Sequence, residues 1–307
     1  MVLSALSKLG INKESSWGGG ATTFINLPIE PFSYSPITYE LLRDQSLRGE
    51  FGADFGIYQG VFRVEFDVEG HVYPDEIGYV LLGLFGSVTT SGTETPYTHT
   101  FTMAQDPTSL AILDENGVQT LMMRGLRVSE FGITFNAAED FLNWSASLVG
   151  KDYTTSTLSV EAASTDDPYI GWQASIELDS SSFAKVITFE ATLTREASIV
   201  YTASNTQAPY SIYAGPMEAA GNMVIIFDSA DDLNRYLNNT TATMDVTFTS
   251  GTNTFTFTSG NVSFSSEPAE ISRDEVDLRL TLNWRCISNT TDSGPCRVIL
   301  ANNTSSY

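Results

Sequence analysis

The sequence predicts an all-β fold of two tandem β-sandwich or barrel domains, each with one short helix, and three observations carry that expectation. Segments that alternate apolar with polar residues, or are rich in β-branched and aromatic types, recur at roughly 8 to 15 residue spacing with Gly, Asn, Asp, Ser or Pro between them. Helical spacing is confined to two stretches. The segment ITYELLRDQSL (37–47) is echoed by ITFEATLTREASI (187–199).

Residues 1–24 read as an N-terminal arm. The start, MVLSALSKLGINKESSWGGG, has too interrupted an apolar stretch for a signal peptide, and Gly18-Gly19-Gly20 suggests a flexible joint. The first domain, 25–153, contains the strand signals GVFRVEFDVEGHV, THTFTM, SLAIL, GLRVSEFGITF and NWSASLV. Its helix is YPDEIGYVLLGLFG: Pro74 suits a first turn, Asp75 and Glu76 favour the positive end, and Ile77, Val80, Leu81 and Leu84 share a face. A linker, 154–175, leads to the second domain, 176–285, with strands AKVITFEATLT, GNMVIIF, TMDVTFT, NTFTFTS, NVSFSS and VDLRLTLNW. Its helix, SADDLNRYLNN, has Ser229 as N-cap, Asp231 and Asp232 in the first turn, and an apolar stripe of Leu233, Tyr236 and Leu237. Residues 286–307 form a polar C-terminal tail with room for a hairpin.

The echo extends into an ordered series. Leu41-Leu42-Arg43-Asp44 aligns with Leu193-Thr194-Arg195-Glu196, and Tyr58-Gln59-Gly60 with Tyr213-Ala214-Gly215. The helix blocks follow, pairing Asp75 with Asp231 and Leu81 with Leu237; then Gly125 pairs with Gly260, and Glu139-Asp140-Phe141 with Asp274-Glu275-Val276. The shared order argues for duplication, with a longer excursion after the helix in the first copy, residues 87–124. Arg43-Asp44 and Arg195-Glu196 recur as basic-acidic pairs. They read either as solvated surface or as contacts between domains or subunits, where complementary charges fix register.

Composition narrows the function. The 37 acidic and 15 basic residues give a formal charge of −22, which opposes binding to nucleic acid or anionic lipid. Together with the absence of an apolar run near 18 residues, this reads as a soluble protein made in a cytoplasm. His71 and His99 are the two histidines, and no metalloprotease, nucleophile-elbow or phosphate-loop motif occurs. The acidic neighbours Asp75-Glu76 and Asp166-Asp167 read as helix-start or solvated charges rather than an acid/base pair. Catalytic, metal and cofactor sites are therefore all expected to be absent. Cys286 and Cys296 flank the turn-rich ISNTTDSGP, leaving open a disulfide or two unpaired thiols. Trp17, Trp144, Trp172 and Trp284 are expected in core or interface packing; the rival reading is a two-domain carbohydrate-binding or adhesin module.

The block YELLRDQSLRGEFGADFGIYQGVFRVEFDVEGHVYPDEIGYVLLGLFGSVTTSG, followed by HTFT and NWSASLVGKDY, resembles the major tail tube proteins of long, non-contractile-tailed bacteriophages. The resemblance implies a structural virion protein made in the host cytoplasm, with one packed helix per tube domain. It implies stacked rings whose inner strands join into one barrel, trimeric where a chain carries two tube domains. The implied partners are further copies of this chain and other tail proteins (tape measure, tail tip, terminator), with DNA passing through the lumen unbound and no membrane contact. Four strands from each of six domains, at about 4.8 Å spacing and about 45° tilt, give a barrel roughly 50 Å across. Residues 87–124 and 1–24 are the expected contacts between rings.

Overall fold

The computed structural model describes residues 6–31, 36–138, 140–238, 240–266 and 278–307. The first half contains β1 (Lys8–Lys13), β2 (Ile25–Asn26), β3 (Ile37–Asp44), β4 (Gly56–His71), α1 (Ile77–Phe85), β5 (Gly86–Ser91), β6 (Tyr97–Met103), β7 (Leu110–Glu115), β8 (Thr120–Asn136), β9 (Asn143–Gly150) and β10 (Asp152–Thr155). The second contains β11 (Ala174–Leu178), β12 (Ser181–Ser182), β13 (Val186–Thr194), β14 (Ala197–Val200), β15 (Ser211–Ala214), β16 (Glu218–Ile226), α2 (Ala230–Leu237), β17 (Ala242–Ser250), β18 (Asn253–Ser266), β19 (Arg279–Cys286) and β20 (Arg297–Asn302). The two helices lie where the sequence placed them. Gly86 closes α1 in the left-handed region that favours glycine, its N–H bonded to the Leu82 carbonyl, and the Ser229 hydroxyl accepts from the Asp231 N–H at 3.2 Å.

Both halves use one strand order. The layer β1–β7–β8–β10 recurs as β11–β17–β18–β20, and β3–β4–β9–β8 recurs as β13–β16–β19–β18. In each half one long strand, β8 or β18, serves both layers, bending at a bulge. Single bonds fix the correspondence: Val72 N–H donates to Leu142 O at 2.8 Å, and Phe227 N–H to Leu278 O at 2.8 Å. The bulges opposite β8 and β18, between Leu110 and Ile112 and between Ala242 and Met244, also correspond. Val72 and Phe227 are 155 positions apart, but Ile112 and Met244 only 132, so the first half holds 23 additional residues (155 − 132). They build the β5–β6 hairpin, so the long excursion of the first copy is this hairpin and not the whole of 87–124. The sequence pairing of 139–141 with 274–276 lies partly outside the described residues.

Segments expected to be peripheral are integral. β1 pairs with β7 over six residues, burying Leu9 and Ile11. Gly18-Gly19-Gly20 is held rather than free: the buried Glu14 carboxylate accepts from the N–H groups of Gly18 (2.8 Å), Gly20 (2.9 Å) and Gly125 (3.0 Å) and from the Ser109 hydroxyl (2.7 Å). All three of these donor glycines, Gly18, Gly20 and Gly125, have positive φ, which lets the backbone curl around the anion. The C-terminal tail supplies β20, which buries Val298 and Leu300 and pairs with β18 on one side and β6 on the other. NTFTFTS and NVSFSS are one strand, β18, because Gly260 lies in its bulge rather than in a turn.

The halves are joined by β13 against β8, seven residue pairs from Thr188↔Asn136 to Thr194↔Glu130. This makes an eight-stranded run, β3–β4–β9–β8–β13–β16–β19–β18. Its inner face is apolar across the junction: Phe135 meets Phe189 at 5.8 Å and Phe248 at 4.9 Å, and Phe189 stacks on Trp284 at 5.4 Å. Such aromatic pairs add directional packing to their area burial.

Candidate functional surfaces

The other face of the eight-stranded run is polar. Alternation along β4 places Arg63, Glu65, Asp67 and Glu69 on one side, all exposed, with Val64, Phe66 and Val68 buried opposite. Registry carries this side across the sheet: Asp67 faces Ser147, Ser147 faces Glu130, Glu130 faces Thr194, and Thr194 faces Glu218. A parallel row runs through Asn143, Thr134, Glu190, Asn222, Asn283 and Ser265. Among the described residues the carboxylates of Glu40, Glu65, Asp67, Glu69, Glu130, Glu190 and Glu218 share this face with the guanidinium groups of Arg63, Arg279 and Arg285. Arg63 pairs with Glu65 at 2.6 Å and Arg285 with Glu218 at 2.7 Å. The remaining side chains are mostly Ser, Thr and Asn, so the face is hydrated, net negative and without a concave apolar site.

Among the described residues both ends of the run are open: β3 has a ladder with β4 alone, and Ser263–Ser266 of β18 with β19 alone. Unpaired sheet edges are sites for adding another strand.

Arg195 lies at the junction of the halves, 2% exposed. Its guanidinium donates to the carbonyls of Leu84 (2.8 Å) and Phe85 (3.3 Å) at the C-terminal end of α1, to Ala104 and Gln105 beyond β6, and to Gly215 (3.2 Å), while its own N–H donates to Ser129 O (2.7 Å). The helix's last carbonyls carry partial negative charge that suits a cation. Burial, with Arg127 nearby, lowers the guanidinium pKa from its ordinary value, yet an arginine stays charged in proteins.

Arg43 is on the surface, 3.9 Å from Asp54. Asp44 accepts from the Ser46 N–H (3.1 Å) and hydroxyl (2.6 Å) and pairs with Arg48; the Ser46 bonds hold its carboxyl below the usual range. Glu196 is exposed, its backbone carbonyl accepting from Gly215 N–H at 2.8 Å. The ladders correct the sequence alignment of these pairs. Leu41↔Gln59 corresponds to Ala197↔Ala214, and Gly60 and Gly215 sit alike, an added Cβ meeting Glu40 O at 3.3 Å and Glu196 O at 3.2 Å. Tyr39-Glu40, four residues earlier than Arg43-Asp44, therefore occupies the place of Arg195-Glu196. Arg43 and Arg195 are not counterparts, and the structure does not bring them together.

Residues 4–286 match the phage tail tube protein family. The chain belongs to that family. No curated protein matches it. Tail tube proteins are structural, non-catalytic components of the virion, and among the described residues of this one no group of three or more His, Cys, Asp or Glu is arranged to hold a metal. Nor, among the described residues, does any helix have the length and apolarity to cross a membrane.

The other residues of interest in this tail tube protein are structural. Trp144 and Trp284 are buried, so neither offers a face to a sugar; Trp172 is exposed. His99 is enclosed by Thr90, Asn302 and Thr304, and burial lowers its pKa. Cys286 and Cys296 are two free, buried thiols, Cys286 pushed up to about 12 and Cys296 well above the ordinary range by burial. Thiols held protonated in this way are poor nucleophiles.

Asp75, Glu76 and Asp166 gather at the start of α1, a grouping that sequence distance concealed. Glu76 is 5% exposed and its pKa is raised to about 7, by burial first and then by Asp75 and Asp166. The folded state thus holds this proton more tightly than the unfolded chain, so its contribution to stability is present below about pH 4.5 and is lost as pH rises through 7. Glu76→Gln is expected to flatten the fall in stability between those values, as read by denaturant unfolding at several pH values; an unchanged slope would contradict the assignment.

Proposed function

We propose that the chain self-assembles into stacked, trimeric rings that form the hollow tail tube of a long, non-contractile-tailed phage, through which genomic DNA is delivered. The observation that carries this reading is the eight-stranded run with one polar, net negative face and two open edges. Three copies joined edge to edge supply 24 strands (3 × 8), enough for a barrel roughly 50 Å across, with room for duplex DNA after side chains are allowed for. The repeated strand order supports two tandem tube domains, β1–β10 and β11–β20, giving a pseudo-sixfold ring. With the polar face turned inward, DNA meets hydroxyls, amides and carboxylates that do not hold its phosphates, so it slides without specific binding. The partners in this reading are copies of this chain and the other tail proteins at the tube's ends and interior. Electron microscopy of purified protein tests it: hollow rings or tubes with three chains per ring are expected, and a monodisperse monomer at high concentration overturns it.

A further inference from the structure

The chain contains its own template for how one copy meets the next. In the second half, the hairpin β14–β15, with its tip 201–210, lies across the start of β4 in the first half. Tyr201 hydroxyl donates to Phe62 O (3.0 Å), Gln207 Nε2 to Gln59 O (3.2 Å) and Gly60 O (2.9 Å), and Phe62 N–H to Gln207 O (3.1 Å). The first half builds the corresponding hairpin: Leu41↔Gln59 and Asp44↔Gly56 match Ala197↔Ala214 and Val200↔Ser211, with a tip at 45–55. Among the described residues that hairpin covers nothing in its own chain, and it is unusually apolar for free surface. Leu47 and Phe51 are fully exposed, and Leu41, Leu42, Ile57 and Tyr58 are about half exposed or more. The strip it would cover by analogy is Ala214–Met217, the counterpart of Gln59–Phe62: Pro216 is exposed there, Ala214 and Gly215 are half-buried and Met217 is buried, and the adjoining Tyr213 is 58% exposed.

We infer that the β3–β4 hairpin of one copy docks on Ala214–Met217 of a second copy, repeating between chains the contact that the 201–210 tip makes within the chain. This rests on the tail tube reading and names the address of its ring contact. Phe51 takes the place of Gln207, so the contact between chains is apolar where the internal one is hydrogen bonded. Thr38 of β3 then falls opposite Ser265 of β18 in the second copy, as Thr194 falls opposite Glu130. Tyr39, standing where Arg195 stands, brings no cation to the second copy, so this junction lacks the clamp that fixes the internal one.

Phe51→Cys combined with Ala214→Cys tests the address, because Gln207 and Gln59, their internal counterparts, are in contact. Mild oxidation of the assembled double variant is expected to give covalent dimers and trimers at least tenfold above either single variant. Leu47→Asp with Phe51→Asp, both at fully exposed positions, is expected to leave the melting temperature unchanged and abolish ring formation. Tubes that form without the cross-link, or that form normally in the aspartate variant, overturn the inference and leave the tail tube reading standing. Wild-type protein that never forms rings contradicts the reading itself.

Discussion

Arg195→Ala is expected to destabilise the folded chain by about 3–5 kcal/mol, because it removes a charged donor whose bonds to Leu84 and Phe85 are buried and leaves a cavity where its side chain packs between the halves. Five carbonyl oxygens, from Leu84, Phe85, Ala104, Gln105 and Gly215, share this one guanidinium. With an unfolding entropy near 2.1 cal/mol/K per residue, that loss lowers the melting temperature by roughly 5–8 °C. Arg195→Lys recovers only part of it, since a point ammonium cannot span carbonyls on opposite sides of a planar fork. Arg43→Ala is expected to change stability by less than about 0.5 kcal/mol, as an exposed pair at 3.9 Å contributes little. Differential scanning calorimetry of the two variants separates the roles. Equal losses would contradict the placement of Arg195 as the clamp between halves.

The second large effect concerns the polar face. Replacing Glu65, Asp67 and Glu69 together by lysine turns an acidic stripe on β4 into a basic one, a change of six charges per chain. All three side chains are exposed, so folding and ring formation are expected to persist. Lysines facing the bore attract the phosphate backbone in a salt-dependent manner. Particles carrying the variant are expected to eject DNA at least about tenfold more slowly at low ionic strength, with partial recovery at high salt. Unchanged ejection kinetics with intact tubes would show that this face does not line the DNA path.

Much of the fold was legible because the strands have two unlike faces. β4, β13 and β19 alternate strictly, burying Val64, Phe66 and Val68 or Leu280, Leu282 and Trp284 while exposing polar neighbours, and such a period reads directly as a half-buried strand. The repeated order of strands and helix was legible for the same reason. β1, β10, β11 and β20 were not read as strands of the fold. Each is short, and its partner lies far along the chain, as with Asn302 of β20 opposite Tyr97 of β6. Pairing at such distance leaves no mark in local pattern. The Arg-acidic echo misled by four residues, since a bulge after Tyr39 and the break between Thr194 and Ala197 let similar letters fall at different ladder positions. Nothing in LTREAS distinguishes a buried clamp from a solvated pair; the distinction comes from the end of α1 and the residues after β6 closing over Arg195.

Cryo-electron microscopy of the assembled tube tests the central claim most directly. The expected map has three chains per ring and 24 strands around the bore, with Glu65, Asp67, Glu69, Glu130, Glu190 and Glu218 pointing into it. A ring with another number of chains, or one whose bore is lined by a surface other than the polar face of the eight-stranded run, would contradict the account.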